Sequence, residues 1–412
     1  MSGLDPEALG ARAYAMTAEL AAISAEPNRL VRQFLTPEHR RAADLVASWM
    51  RNAGLAVSED ALGTLRGRFG TARRRLLIGS HIDTVIDAGK YDGPLGVIAG
   101  ILAAEPFAHA KAKLPFGIDV LAFGDEEGSR FPATMTSSSA CAGVFENDAL
   151  TAADAKGVTL AAALRAYGKL PQDIAAAAYR PQDAAAFVEV HIEQGPVLEA
   201  KGAPLGVVTG IVGQTRLRVT ATGEAGHAGT VPMQLRRDAF AGTAEMTLAL
   251  ERIAREHPED GMVGTVGRIE ASPGAVNIIA GRVVFTVDLR ALTDGLRIAA
   301  VERFTAEAQA IAHARGLKVT VENFHEVATA HCAPALQDVL AASVTELGHN
   351  AIRLPSGAGH DAQIMSRLCP AAMLFVRCRG GISHNPAEYA SVSDMGVAIA
   401  ALMRFIEKFQ PN

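Results

Sequence analysis

The sequence GSHIDTVIDAGKYDGPLG, residues 79–96, decides the fold that we predict for this chain. The apolar run at residues 76–78 predicts a buried strand, so His81 and Asp83 come at the carboxyl end of that strand. Open α/β sheets place their ligand sites at this edge. Asp92 follows just before a Gly-Pro turn and an apolar helix. By itself, such a histidine and aspartate pair is also typical of a polar surface, so the prediction depends on partners elsewhere.

Three further apolar runs each lead to polar residues of metal-binding type. The run GIDVLAFG is followed by Glu126 and Glu127, AAAFVEV ends at His191, and AAMLFV precedes His384 by a few residues. Any one of these residues alone would be typical of a polar loop at a sheet edge. Because the carboxyl ends of parallel strands meet at one edge, we expect these side chains to lie close together.

This set of imidazoles and carboxylates suits two divalent metal ions per subunit, of zinc, manganese, cobalt or nickel. The predicted metal ligands are His81, Asp92, Glu127, His191 and His384. In two-metal hydrolases a carboxylate usually bridges ions about 3.5–4 Å apart, and Asp92 is our candidate for the bridge. Glu126 remains as the general base, which takes a proton from water and returns it to the leaving nitrogen. Asp83 is predicted to accept the second imidazole N–H of His81 and so fix its tautomer.

The overall composition is that of an ordinary globular protein. The chain has 412 residues, of which 49% are hydrophobic and 20% charged, and its net charge is −5. This charge argues against a nucleic-acid partner, and no apolar run is long enough for a membrane span. The four cysteines show no metal-site spacing, and the start of the chain shows no signal-peptide pattern. We therefore predict a cytoplasmic protein with free thiols, a small-molecule substrate, and neither nucleic acid nor membrane as a partner.

The order of predicted elements divides the chain into two domains. Residues 211–327 read as strand-helix-strand-strand-helix-strand, which is the ferredoxin-like α+β pattern. On both sides of this insertion, apolar strands alternate with helices in the α/β manner. We expect one α/β domain formed by residues 1–210 and 328–412, and a second domain formed by residues 211–327.

Several segments resemble, in order and spacing, the amidase, hydantoinase/carbamoylase family: GSHIDTVIDAGKYDGPLGV, FGDEEGSRFP, HIEQGPVLE, GEAGHAGTVPM, SGAGHDA and GGISHNPAEY. This family includes allantoate amidohydrolases, N-carbamoyl-L-amino-acid hydrolases and β-ureidopropionases. It is similar in turn to the aminoacylase and carboxypeptidase G group of di-metal peptidases. The resemblance runs from about Arg29 to the last helix. It implies a di-metal peptidase-like catalytic domain with a central mixed sheet, and an inserted lid domain through which a homodimer forms.

The resemblance also implies roles for residues in the inserted domain. From composition alone, these residues would be interpreted as part of a turn or of a surface ion pair. The matching family residues place His227 as a catalytic residue that, with Asn277, holds the developing oxyanion, while Arg290 binds the substrate carboxylate. The substrate-binding residues predicted in this way are Gln194, Gln214, Asn277, Arg290 and His360. Thr64 and Ser139 depart from the family's pattern, and we assign no role to either.

The predicted function is metal-dependent hydrolysis of a C–N bond in a ureido or N-carbamoyl acid. The segments GDEEGSRFP and RCRGGISHNPAEY favour allantoate as the substrate. An N-carbamoyl-L-amino-acid hydrolase or a β-ureidopropionase is the alternative. A dipeptidase or aminoacylase is less favoured, because those relatives usually carry a carboxylate where His191 stands. A non-catalytic binding protein is least favoured, since such a protein is expected to lose a ligand or Glu126, and none is missing.

Overall fold

The computed structural model describes residues 5–257 and 261–411. The chain divides into two compact units, the first formed by Met1–Thr209 with His331–Asn412 and the second by Gly210–Ala330. The helices are α1 (Pro6–Ala21), α2 (Pro37–Asn52), α3 (Pro94–His109), α4 (Thr136–Ala142), α5 (Leu160–Ala166), α6 (Val197–Ala200), α7 (Ala239–Arg255), α8 (Asp294–Ala314), α9 (Pro334–Glu346), α10 (Asp361–Met365) and α11 (Val392–Lys408). The strands are β1 (Ala56–Glu59), β2 (Leu65–Phe69), β3 (Arg75–His81), β4 (Gly117–Phe123), β5 (Ala184–Ile192), β6 (Leu205–Ile211), β7 (Gly213–Thr222), β8 (Gly226–His227), β9 (Val263–Ser272), β10 (Ile278–Ile279), β11 (Arg282–Ala291), β12 (Lys318–Val327), β13 (Ala330–His331), β14 (Ile352–Ser356) and β15 (Ala371–Val376).

A large mixed sheet forms the centre of the first unit, in the order β1-β2-β4-β3-β5-β15-β6-β13, with β14 beside β6. The middle strands β4, β3, β5 and β15 are parallel, whereas β1, β2 and β6 pair antiparallel with their neighbours. Every residue of the four parallel strands is buried, as continuous apolar runs predict for strands covered on both faces. The predicted α/β fold with a mixed sheet is confirmed.

Helix α3 approaches the sheet closely because it carries glycine where it crosses the strands. A Cβ at Gly96 would lie 2.1 Å from the carbonyl oxygen of Val190 in β5, so no larger residue fits there. Helix α11 packs against α3 in the same hydrophobic core. This packing fixes the amino end of α3, and with it the preceding loop that carries Asp92.

The parallel strands bring the predicted metal ligands to one edge of the sheet. His81 is the last residue of β3, and His191 is the next-to-last residue of β5. Glu127 follows β4 by four positions, and His384 lies in the loop after β15. Because these strands run in the same direction, the four side chains emerge at their shared carboxyl edge.

The second unit contains a four-stranded antiparallel sheet in the order β12-β7-β11-β9. Helices α7 and α8 pack on this sheet and on each other, and alternate residues of β7 such as Leu217 and Val219 enter their shared core. This order is that of the ferredoxin-like pattern. Helix α7 begins at Ala239, because the side chain of Asp238 caps it by accepting the N–H groups of the first turn. The roles of the second unit as a lid and in dimerisation stay predictions.

Among the described residues, no helix is both long enough and apolar enough to cross a bilayer.

Candidate metal centre

Two groups of candidate ligands share Asp92. Its carboxylate lies with the imidazoles of His81 and His191 in a fully buried group, and with Glu127 and His384 in a second group. Within each group the ligand atoms all lie within 4.8 Å of one another. All five predicted ligands therefore come together, and the only residue common to the two groups, among those described, is the one predicted to bridge.

The two oxygens of Asp92 face different groups. Its Oδ1 lies 3.1 Å from Nε2 of His191 and 3.6 Å from Nε2 of His81. Its Oδ2 lies 3.3 Å from Nε2 of His384, which in turn lies 3.5 Å from Oε2 of Glu127. A carboxylate that turns one oxygen to each group has the orientation needed to connect two ions.

The tautomers of the buried histidines also suit metal ligation. Nδ1 of His191 lies 2.9 Å from the carbonyl oxygen of Ile192, which can only accept, so the proton is on Nδ1. Nε2 of His191 is buried and lies 3.1 Å from Oδ1 of Asp92. In His81, Nδ1 faces the carboxylate of Asp83 at 3.3 Å, which likewise leaves Nε2 as the ligand atom. Because Nδ1 of each ring faces a fixed acceptor, Nε2 is the nitrogen that a divalent cation would bind in place of a proton.

Gly93 allows the Asp92 loop to pass over the His81 ring. Its φ angle is +82°, in the region that glycine adopts without strain. A Cβ at this position would lie 2.4 Å from two atoms of the His81 imidazole. Glycine is therefore required here both by the backbone conformation and by the space beside His81.

Asp83 organises the loop after β4 as well as His81. Its Oδ1 accepts the backbone N–H of Glu126 at 3.1 Å, and its Oδ2 accepts the backbone N–H of Glu127 at 3.2 Å. The buried carboxylate of Asp83 therefore contacts the backbone of the candidate base, Glu126, and of the candidate ligand Glu127. It also faces the imidazole of a second candidate ligand, His81. The sequence predicts only the last of these contacts.

Negative charge is in excess around this centre. Burial, and then the charge of Glu127, raise the pKa of Glu126 well above its usual value, although His81 opposes this. Burial and the charge of Asp92 raise the pKa of Glu127 to about 7. Burial alone would lower the pKa of His81, but its hydrogen bonds to Asp83 and Asp92 raise it well above the usual value. The pKa values of these carboxylates and of this imidazole are raised because negative charge is concentrated here. Bound divalent cations would neutralise that charge.

Glu388 and Ser383 hold Asp92 in place, and the sequence reasoning missed both. The carboxylate of Glu388 accepts the backbone N–H groups of Tyr91 at 2.7 Å and Asp92 at 3.1 Å. The hydroxyl of Ser383 donates to Oδ2 of Asp92. Both residues lie in GGISHNPAEY, the motif that supplies His384, so their position in that motif was the signal available.

Gln194 lies against the candidate bridge. It has a φ angle of +58°, and its Nε2 donates to Oδ2 of Asp92 at 2.7 Å. Its Oε1 is buried without a hydrogen-bond partner among the residues that the structure describes. The predicted substrate-binding role of Gln194 stays a prediction.

His360 packs beside a candidate ligand inside the first unit. Its ring meets that of His191 edge-on, with the centroids 4.5 Å apart, and its Nε2 lies 2.8 Å from the hydroxyl of Ser356. Burial, and then the charge of His191, lower its pKa well below the usual value, so the ring is neutral. Its substrate contact also stays a prediction.

In the second unit, His227 and Asn277 are neighbours. His227 pairs with Ile278 across the short β8–β10 ladder, and the carbonyl oxygen of Asn277 accepts the N–H of Ala228 at 2.9 Å. The His227 side chain is exposed, and its Nδ1 accepts the N–H of Gly229 at 3.0 Å. This leaves Nε2 of His227 protonated and able to donate, as an oxyanion contact requires.

Gln214 and Arg290 lie directly opposite each other on β7 and β11. Both donate to the carboxylate of Asp288, Gln214 through Nε2 at 2.6 Å and Arg290 through Nε at 2.9 Å. Burial would raise the pKa of Asp288, but the hydrogen bonds and charges of Arg290 and Arg216 hold it below its usual value. Asp288 thus orients the residue predicted to bind a substrate carboxylate, and it was not singled out from the sequence.

The chain is similar to known proteins over most of its length. The family model of peptidase family M20/M25/M40 matches residues 77–408. Allantoate deiminase of Arabidopsis thaliana is 40% identical over 96% of this chain and 81% of its own length. N-carbamoyl-L-amino acid amidohydrolase of Geobacillus stearothermophilus is also 40% identical, over 95% of this chain and 97% of its own. The crystal structure of an amidase of the hydantoinase/carbamoylase family from Burkholderia multivorans superposes with a TM-score of 0.89 at 32% identity, covering 96% of this chain and 97% of that one.

Proposed function

Because the chain belongs to peptidase family M20/M25/M40, among the hydantoinase/carbamoylase amidases, we propose that it is a metal-dependent amidohydrolase of ureido or N-carbamoyl acids. The observation that carries this proposal is the position of Asp92 between two groups of ligands, with the carboxylate of Glu126 beside them. For a carbamoyl substrate, water attacks the ureido carbon and the C–N bond breaks. The products are carbon dioxide, ammonia and the free amine.

The residues proposed to hold the ions are His81, Asp92, Glu127, His191 and His384. When bound, the ions supply Lewis acidity, which polarises the scissile carbonyl and lowers the pKa of water. We propose a count of about two per chain, as a shared carboxylate implies, with zinc, manganese, cobalt or nickel as the metal.

Glu126 is the proposed general base. It carries a buried carboxylate whose Oε2 lies 3.9 Å from Nε2 of His81. It takes the proton from the attacking water and later delivers it to the leaving nitrogen, as a general acid–base does. Asp83 holds the backbone of Glu126, so that the base keeps its position through both transfers.

The second unit is proposed to supply the polar contacts to the substrate. Arg290, oriented by Asp288, would bind the substrate carboxylate, and His227 with Asn277 would stabilise the oxyanion. Gln214, on the strand opposite Arg290, would contribute a further hydrogen bond. Replacing Arg290 by Lys should raise KM more than it lowers kcat, because a bidentate contact is lost.

Allantoate is the first substrate to test, with N-carbamoyl-L-amino acids second. The two relatives named above are equally identical to this chain, so overall identity does not choose between them. Ammonia release should be measured from allantoate and from N-carbamoyl-L-methionine, with a Glu126→Gln protein as the control for background hydrolysis. Higher kcat/KM on allantoate is the expected result. Activity on N-carbamoyl-L-methionine alone would show that N-carbamoyl-L-amino acids, and not allantoate, are the substrates.

We further propose a homodimer formed through the second unit, and a cytoplasmic location. The dimer rests on the family resemblance, and light scattering of the purified protein tests it. All four cysteines, each among the described residues, are free thiols, as is usual in a reducing compartment.

A further inference from the structure

A cleft of about 380 Å³ in the first unit is lined by arginines. It lies where β3 and β5 begin, and it is formed by β2, the β2–β3 turn and the segment before β5. Its arginines are Arg66, Arg68, Arg73, Arg75 and Arg180. Arg75 is the first residue of β3 and His81 is the last, so about 20 Å of strand separates the cleft from the candidate metal centre. The proposed function uses none of these residues.

Arg75 forms a fixed part of the floor. Its Nε donates to the fully buried carboxylate of Asp119 at 2.7 Å, and its Nη1 and Nη2 donate to backbone carbonyls, including that of Phe69. Glycine at position 117 makes room for this guanidinium, because a Cβ there would lie 1.9 Å from Nη1. The charge of Arg75 is therefore held in one place by the surrounding chain.

Tyr179 organises two further arginines. Its hydroxyl donates to Asp119 at 2.7 Å, and its ring lies under the guanidinium groups of Arg66, 4.6 Å away, and Arg68, 5.9 Å away. Arg66 is 8% exposed and pairs with Asp60 at 3.0 Å, yet its Nε is buried without a hydrogen-bond partner among the described residues. Arg68 pairs with Asp119 at 3.2 Å.

The mouth of the cleft carries two exposed arginines on one carboxylate. The side chains of Arg73 and Arg180 are 63% and 65% exposed, and both contact Asp183, through Nε atoms 2.5 Å and 2.8 Å from its oxygens. Since a single aspartate serves two guanidinium groups, positive charge is in excess at the mouth.

The whole cleft has a surplus of two positive charges. Its five arginines contact three carboxylates, those of Asp60, Asp119 and Asp183. Arginine stays protonated at any physiological pH, so this surplus is permanent. A guanidinium presents parallel N–H donors that match the oxygens of a phosphate. We propose that this cleft binds a phosphate dianion, either as inorganic phosphate or as the phosphate group of a small monoester.

Calorimetric titration of the metal-loaded protein with inorganic phosphate, at constant ionic strength, tests this proposal. The test variants are Arg180→Gln and Arg73→Gln, because each leaves Asp183 with one arginine partner. The matched control is Arg165→Gln, on α5, an exposed arginine whose contact is a 3.4 Å hydrogen bond to the carbonyl of Ala161. Each test variant should bind phosphate about 10-fold more weakly, while the control binds as the wild type does.

The same proteins distinguish the cleft from the metal centre, where phosphate can also bind. All the variants should keep the amide hydrolysis of the wild type, which shows that they fold and hold their metal. A parallel titration with glycerol phosphate identifies the source: tighter binding than inorganic phosphate indicates a monoester, and weaker binding indicates the free ion. Phosphate affinity that is equal in the wild type and both test variants, or the absence of binding to the wild type, would overturn the proposal.

Discussion

The carboxylate of Asp83 accepts the backbone N–H of Glu126, with 3.1 Å between Oδ1 and the nitrogen. The same carboxylate accepts the N–H of Glu127 and faces the imidazole of His81. Because Asp83 is buried, these contacts are not exchanged with water, and they fix the base relative to two candidate ligands. The position of Glu126, in the loop after β4, is thus set by a residue in the loop after β3.

Replacing Asp83 by Asn should lower kcat by about 10- to 100-fold. An asparagine side chain has one acceptor oxygen, so one of the two backbone N–H groups would face an NH₂ group instead. Steady-state kinetics, with metal content measured on the same samples, checks this. Asp87→Asn in the same loop is the control, because its φ angle of 62° suits asparagine equally well. Wild-type kcat in the Asp83→Asn protein would refute the positioning role.

Replacing Glu126 by Gln should leave the metal content unchanged and reduce kcat by at least about 100-fold. Glutamine keeps the shape of the side chain but cannot take a proton from water. Elemental analysis and an ammonia-release assay measure the two quantities on one preparation. Turnover equal to that of the wild type would exclude Glu126 as the base, and loss of metal would assign it to ligation instead.

Replacing Gly93 by Ala should impair the metal centre, because the new Cβ would collide with the His81 ring. Gly168→Ala is a matched control, since Gly168 also has φ +82° but nothing within 4 Å of the added Cβ. Both variants place an alanine at a positive φ angle, whereas only the first disturbs a candidate ligand. Reduced metal affinity in Gly93→Ala alone is expected, measured by competition with a chelator. Equal metal affinity in the two variants would show that space beside His81 is not what requires glycine.

Because of His39, the free energy of unfolding should fall as the pH falls. Burial, and then the charges of Arg32, Arg40 and Arg130, lower its pKa to about 3, so it is neutral in the folded protein. The unfolded chain binds a proton below about pH 6.5, and the folded chain does not until about pH 3. The stability due to this group is therefore complete above pH 6.5 and is lost towards pH 3. Between pH 7 and pH 5 the loss is about 2 kcal/mol.

Urea unfolding of the wild type and of His39→Gln at pH 7 and pH 5 measures this effect. The wild type should lose about 2 kcal/mol more than the variant over this interval. Any loss due to the metal ligands is common to both proteins and drops out of the difference. His109→Gln, at an exposed histidine, should behave as the wild type does. Identical losses in the wild type and His39→Gln would contradict a buried neutral His39.

The sequence could predict the parts of this site that depend on strands. Apolar runs predicted β3, β4, β5 and β15, and their common direction brings His81 and His191 to one edge. It could not predict contacts made by loops, such as the carboxylate of Glu388 on the N–H of Tyr91, because neither residue lies on a strand whose direction and pairing place it. Asp288 and Arg290 share a face because they stand two positions apart on β11, but the sequence could not predict that Gln214 of β7 would join them, since that depends on register.

Whether the chain holds a two-metal hydrolytic centre is measured by its metal content. Elemental analysis of gently purified protein should be paired with amide hydrolysis before chelation, after chelation, and after Mn²⁺ or Zn²⁺ is restored. We expect about two divalent ions per chain, with activity that is lost on chelation and regained on restoration. A metal-free protein that added ions cannot load would contradict it.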